Sequence, residues 1–189
     1  GTDYAAISDI TISAGSTTGS SSLTPTDDST YELDETAIID ISSVSGGAAE
    51  SGTQQETVTI TNDDSAPTVT LALSSSAQDE DDNTAVTVTA TLSNPTYQAV
   101  TVTLSASGTA TASTDYSLSS STITVSAGSS TGTVTIANTD DSTYEGDETV
   151  ILDVSAVSGG GATESGTQQV TFTITENESA PTVTLAASA

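Results

Sequence analysis

The sequence has no lysine, arginine, histidine, cysteine, methionine or tryptophan, and a single phenylalanine. Without a cationic side chain, no internal salt bridge can form between side chains. Without cysteine there are no disulfides and no thiolate metal ligands, and the redox compartment is left undetermined. No stretch approaches the roughly 18 consecutive apolar residues of a membrane span. Against these absences stand 26 aspartates and glutamates and a formal net charge of -26. A surface this acidic repels nucleic acid and anionic lipid and attracts metal ions or basic molecules.

Serine and threonine supply more than a third of the 189 residues, a composition shared with disordered stalks. Regular alternation argues against disorder. Val86, Val88, Ala90 and Leu92, like Val100, Val102, Leu104 and Ala106, fall on every second position, the period of a strand. Three landmarks also recur: TDY at Thr2 and Thr114, DDSTYE at Asp27 and Asp140, and SAPTVTLA at Ser65 and Ser179, with offsets of 112, 113 and 114 residues. A period this long fits a string of complete domains rather than a solenoid. The expected organisation is the back half of one repeat in 1–66, a complete repeat in 67–180 and the first strand of a further repeat in 181–189. Gly1 opens inside a repeat, so the chain reads as a piece of a longer one.

Within the complete repeat, seven strands are expected near 67–73, 84–93, 99–107, 121–126, 132–138, 149–156 and 168–175, separated by turn signals such as SNPT, AGSST and SGGGATESGT. Seven short alternating strands in about 110 residues describe an all-β, immunoglobulin-like antiparallel sandwich. If successive strands run alternately up and down, alternate loops share one pole. Twelve of the repeat's fourteen carboxylates fall in loops of that pole, leaving Asp153 and Glu164 elsewhere. Like charges about 4 Å apart repel by about 4 kcal/mol at the effective dielectric of a protein surface, and the chain holds no counter-charge. The pole is therefore expected to be a carboxylate cage for a hard cation. Calcium accepts about six to eight oxygens at roughly 2.3 to 2.6 Å in flexible geometry, magnesium wants a stricter octahedron, and zinc would want histidine or cysteine. So many carboxylates leave room for two or more adjacent ions.

The run from Gly108, GTATASTDYSLSSSTITVSAGSSTGTVTIANTDDSTYEGDETVILDVSAV, resembles Calx-beta domains: a GTA segment running into DY, a strand, an AG turn, a second strand, then two aspartates followed by two spaced glutamates. The resemblance implies calcium-binding sandwiches whose ligands are Asp115, Asp140, Asp141, the carbonyl of Thr143, Glu145 and Glu148. In the earlier repeat it implies Asp3, Asp27, Asp28, Thr30, Glu32 and Glu35. A glutamate near the start of the domain corresponds to Glu80, although AQDEDDN departs from the family's short Ser-Glu segment. The closing acidic run is Asp63 and Asp64 in one copy and Glu176, Asn177, Glu178 in the other. The lysine-free, Ser/Thr-rich variety is most similar to tandem repeats of long bacterial cell-surface and adhesin-like proteins, rather than to the regulatory domains of sodium-calcium exchangers.

Other readings are weaker. Asp79, Asp81 and Asn83 suggest an EF-hand loop until Thr84 stands where it needs glycine and Ala90 where it needs glutamate. Gly159 to Gly161 lack the lysine and helix of a phosphate cradle. Tyr4, Tyr31, Tyr116 and Tyr144 are expected to pack or anchor loops rather than bind ligand. Asn177-Glu178-Ser179 fits a glycosylation sequon, and serine and threonine glycosylation stays open. The functional expectation is a calcium-loaded extracellular stalk, adhesin or filament segment at the cell surface. Its partners would be calcium, neighbouring repeats and other copies or surface molecules, with no nucleic acid and no membrane insertion, and calcium would stiffen the junctions between domains. A homopolymeric fibre joined by strand or edge pairing is the alternative. A calcium sensor and a two-carboxylate glycosidase are the remaining classes. Lacking His, Cys, Lys and Arg, the chain is expected not to be an enzyme.

Overall fold

The computed structural model describes residues 3–187, divided into two compact units, Gly1–Asp64 and Ser65–Ala189. The first contains β1 (Glu35–Asp40) and β2 (Gln55–Ile60), an antiparallel pair in register from Glu35 with Ile60 to Asp40 with Gln55. A bridge between Tyr4 and Pro25 ties its two earlier segments together. Ala37 is buried, whereas Ile10, Ile12, Ile38 and Val58 are exposed.

The second unit contains β3 (Thr68–Leu73), β4 (Ala77–Asp79), β5 (Val86–Leu92), β6 (Val100–Gly108), β7 (Tyr116–Leu118), β8 (Thr122–Val125), β9 (Thr131–Asn138), β10 (Glu148–Ser158), β11 (Thr163–Glu164) and β12 (Gln169–Thr175). They form two five-stranded sheets, ordered β4-β12-β10-β6-β8 and β11-β3-β5-β9-β7. Alternation decides which side chains enter the core. Val86, Val88, Ala90 and Leu92 point inward from β5, while Thr87, Thr89 and Thr91 face out. Val100, Val102 and Leu104 of β6, Ile123 and Val125 of β8, Val150 and Leu152 of β10, and Phe172 and Ile174 of β12 complete one continuous core. The fold is an immunoglobulin-like β-sandwich, as the alternation implies.

All seven expected strands are present. Three additional short ones carry no periodic signal of their own, since two or three residues cannot display a period. Two of them make the sandwich other than purely antiparallel: β4 runs parallel to β12, and β11 parallel to β3. The run SGGGATESGT, read as turn, holds β11. Residues 181–187, expected to begin a further strand, lie outside any strand, with Val183 and Leu185 fully exposed. The strand they resemble, β3, is held by pairing to β5 and β11, and 181–187 have no such partner among the described residues.

At the pole opposite the acidic loops, Thr96 is buried and its carbonyl accepts the Gly128 amide at 2.9 Å. Gly160 has φ of 53°, and a Cβ there would lie 2.4 Å from the Thr96 hydroxyl oxygen, so only glycine fits. This locks three loops without charge. The two acids outside the crowded pole have local partners: Asp153 accepts from the Gln169 amide at 2.7 Å, and Glu164 from the Gln168 backbone N–H.

Phe172 is the largest fully buried side chain of the core. Phe172→Ala should cost about 3–5 kcal/mol, a large share of the roughly 5–15 kcal/mol that holds a domain folded. Denaturant unfolding followed by circular dichroism checks this, and a loss below about 1 kcal/mol would contradict the packing described.

Candidate metal centre

In both copies, DDST is a turn that presents the next glutamate. The second aspartate accepts the backbone N–H two residues on: Asp28 Oδ1 from Thr30 at 2.7 Å, and Asp141 Oδ1 from Thr143 at 2.6 Å. Asp115 enters the same pole at the start of β7. It is 5% exposed, its carboxylate accepts the Thr111 N–H at 2.5 Å, and its carbonyl accepts the Thr139 N–H at 2.9 Å, tying two loops together. Its neighbour Tyr116 is buried in the core and fixes that end of the loop. Tyr144, expected to pack like Tyr116, is instead 46% exposed.

Three overlapping triads result. Asp115, Glu145 and Glu148 bring carboxylate oxygens within 4.8 Å of one another, as do Glu80, Asp141 and Glu145, and Glu80, Glu176 and Glu178. Glu145 joins the first two triads and Glu80 the last two. Glu80 follows β4 and is 7% exposed; it gets there because β4 pairs with β12, whose Thr175 carbonyl accepts the Glu80 N–H at 3.0 Å. The irregular segment AQDEDDN therefore puts its second acid inside the cluster. Asp79 instead accepts from the Thr175 hydroxyl, and Asp82 from the Thr84 N–H.

The first unit repeats the first triad with its counterparts Asp3, Glu32 and Glu35. Asp27, Asp28, Thr30, Asp63 and Asp64 line the same concavity, of about 50 Å³. In the second unit Asp140 is exposed and belongs to no carboxylate triad, and Asn177 Nδ2 donates to it at 3.5 Å; Thr143 is exposed beside it in the DDST turn.

The closing segment does more than add charge. Glu176 accepts backbone N–H groups from Glu178 at 2.9 Å, Gly146 at 2.7 Å and Glu145 at 2.5 Å, which hold its carboxyl at about 2. In the first unit the neutral Asn62 does this work: its side-chain oxygen accepts the Glu32 N–H at 3.2 Å and its own N–H donates to Asp34 at 3.0 Å. Asp147 matches Asp34, accepting the Glu176 N–H at 3.1 Å. The bracing roles of Asn62, Asp34 and Asp147 were missed in the sequence, where the signal was the alignment of NDD with ENE.

Several glutamates and one aspartate of the two clusters are pushed upward. Glu148 rises to about 7 through burial and then its hydrogen bond and charge interaction with Asp115, and Glu178 to about 7 chiefly through its hydrogen bond with Glu176. Burial, followed by neighbouring acids, raises Glu80 and Glu145. Asp64 is raised by burial and by Asp63, Asp28 and Asp27. Glu178 Oε2 is buried and unpartnered. Crowded oxygens, buried carboxyls and an orphaned acceptor in a chain without cations fit a hard, oxygen-seeking divalent ion. They do not fit a metal that needs nitrogen or sulfur.

The family described as the Calx-beta domain matches residues 1–64 and again 62–178. The chain belongs to the Calx-beta family. Among solved structures, the crystal structure of an apo-form Calx CBD1 domain is similar at 18% identity, with a TM-score of 0.48 over 58% of this chain and 98% of that one. No curated relative matches.

The shifts make the metal-free Calx-beta cluster sensitive to pH. Glu148 and Glu178 ordinarily titrate at 4.5 and do so at about 7 here, so between those values the folded state holds more protons than the unfolded one. The stability they contribute is complete below 4.5 and is lost as pH rises through about 7. Glu176, held at about 2, acts oppositely, but only as pH falls below 4.5. In chelator, the thermal midpoint at pH 5 should therefore exceed that at pH 8. Equal midpoints would contradict the crowding described.

Proposed function

We propose that each Calx-beta unit of this chain binds calcium at its acidic pole, and that the chain is an extracellular structural segment of a stalk, adhesin or filament, stiffened by the ion. The observation that carries the reading is the recurrence of one carboxylate triad, Asp3/Glu32/Glu35 and Asp115/Glu145/Glu148, in two compact units. The residues that would hold ions in the second unit are Glu80, Asp115, Asp141, Glu145, Glu148 and Glu178. Glu176 sits at the edge of the cluster and braces the loop that carries Glu145. When bound, calcium supplies the positive charge that the chain lacks. The protein's own part is to converge the oxygens and exclude competing partners.

The reading is non-catalytic. The pole offers carboxylates alone, with no histidine, cysteine, lysine or arginine to activate a nucleophile or stabilise an oxyanion. No helix among the described residues is long and apolar enough to cross a membrane. Extracellular calcium modules work at about 10⁻⁴ to 10⁻³ M, and that range separates a structural module from a cytosolic sensor.

Calcium at a hundredfold excess over Kd should stabilise a unit by about 2.7 kcal/mol per independent ion, read as a rise in thermal midpoint that chelator reverses. Glu145→Gln, which touches two triads, should remove most of that rise in the second unit, and Glu32→Gln should do so in the first. Calorimetric titration showing no heat and no shift at millimolar calcium would sink the proposal; turnover of a glycoside lost with Glu145→Gln at unchanged stability would favour an enzyme. Stiffening of the junction between units is checked separately by small-angle scattering. The maximum dimension should change on chelation, and an unchanged profile would remove that part of the reading.

A further inference from the structure

Two buried side-chain oxygens have no hydrogen-bond partner among the described residues: Glu178 Oε2, which lies in the acidic cluster, and Asn138 Oδ1, to which the ion reading gives no role. Asn138 closes β9 and is paired with Tyr116, the residue after Asp115. Thr139, next in the chain, donates its N–H to the Asp115 carbonyl at 2.9 Å, and Asp140 and Asp141 follow. Asn138 thus stands where the Asp115 loop meets the DDST loop.

Its side chain reaches a third loop. Asn138 Nδ2 donates to the Asp79 carbonyl at 3.1 Å. Asp79 ends β4, at the edge of the sheet β4-β12-β10-β6-β8, whereas β9 belongs to the other sheet. The bond therefore spans the two sheets at the acidic pole, one residue before Glu80, the acid shared by two triads. The same carbonyl accepts the Asp82 N–H at 3.0 Å, closing the turn that carries Glu80. A carbonyl can only accept, so it fixes which way the Asn138 amide faces and leaves Oδ1 without a donor. A buried acceptor without a donor is destabilising, and packing alone would be better served by an apolar side chain of similar size. In the first unit the bridge that matches Asn138 with Tyr116 is Pro25 with Tyr4, and proline has no side-chain donor.

We propose that Asn138 is a positioning residue for the ion cluster of the second unit: its cross-sheet bond holds the Asp79–Asp82 turn so that Glu80 reaches both of its triads. The inference rests on the calcium reading and deepens it. Residues that orient a metal ligand through a hydrogen bond typically change metal affinity by about 10–100-fold when removed. Asn138 touches no ion itself and acts through Glu80 alone. The triad without Glu80, formed by Asp115, Glu145 and Glu148, should keep its ion when Asn138 is replaced.

The test is calorimetric titration with calcium of the whole chain carrying Glu32→Gln, which silences the first unit. Asn138→Leu, close to asparagine in volume, and Asn138→Ala should each weaken the Glu80-dependent binding by about tenfold or more. In chelator their thermal midpoints should match the parent's, since the lost bond is offset by removal of the orphaned acceptor. Combined with Glu80→Gln, either substitution should lower affinity no further, a non-additivity that general loosening of the fold would not give. Amide hydrogen exchange in chelator should quicken at Glu80 and Asp82 and stay unchanged in the core strands. Absence of calcium binding by the chain without Asn138 or Glu80 substitutions would overturn the ion reading and this inference together. Calcium binding that both Asn138 variants retain in full would overturn this inference alone. So would losses that add to that of Glu80→Gln, unchanged exchange at Glu80, or a midpoint in chelator that falls with the affinity in both variants.

Discussion

Uncompensated negative charge governs this molecule. Every carboxylate must find its stabilising partner in a backbone amide, a neutral side chain, a proton or something from outside, because no side chain offers a cation. The structure sorts its acids accordingly. Asp28, Asp141, Asp82, Glu50, Glu164 and Glu176 accept backbone N–H groups, and Asp40 and Asp153 accept glutamine amides. What remains unpartnered is concentrated at one pole of each unit. Solvating charge spread for solubility would have no reason to gather into overlapping triads.

The sandwich is what makes that gathering possible. Its core is built from valine, isoleucine and leucine on alternate positions, worth about 1.5–3 kcal/mol for each fully buried side chain. That apolar contribution holds loops far apart in sequence at one end despite their mutual repulsion. The opposite pole is closed by the buried Thr96 and by Gly160 packed against its hydroxyl. One end of the fold is thus settled by fit and the other is left electrostatically incomplete.

Most of this was legible in the sequence, and the exceptions have physical reasons. Strict alternation identified the seven principal strands, because half-buried strands must alternate. Strands β4, β7 and β11 escaped because two or three residues have no measurable period, and their existence depends on neighbours supplied by distant sequence. Convergence of the acidic loops followed from counting strand directions. That Glu80, and not Asp79 or Asp81, would be the acid turned inward depended on the parallel pairing of β4 with β12. Likewise, the closing acids were expected as ion ligands, whereas Glu176 and Asn62 each brace a loop of their own copy, one with a carboxylate and the other with an amide.

The parallel pair of β4 and β12 has a mechanical consequence. Ala77, Gln78 and Asp79 lie beside Thr173, Ile174 and Thr175 in the same direction, and the chain leaves β12 at the pole opposite the one where it enters β3. A force drawing the two ends of the unit apart would slide β4 past β12 lengthwise, so that their hydrogen bonds resist together instead of opening one by one like a zip. Glu80 at the end of one strand and Glu176 and Glu178 beyond the end of the other meet within 4.8 Å. An ion held by Glu80 and Glu178 there would rivet the very seam that such a pull must break.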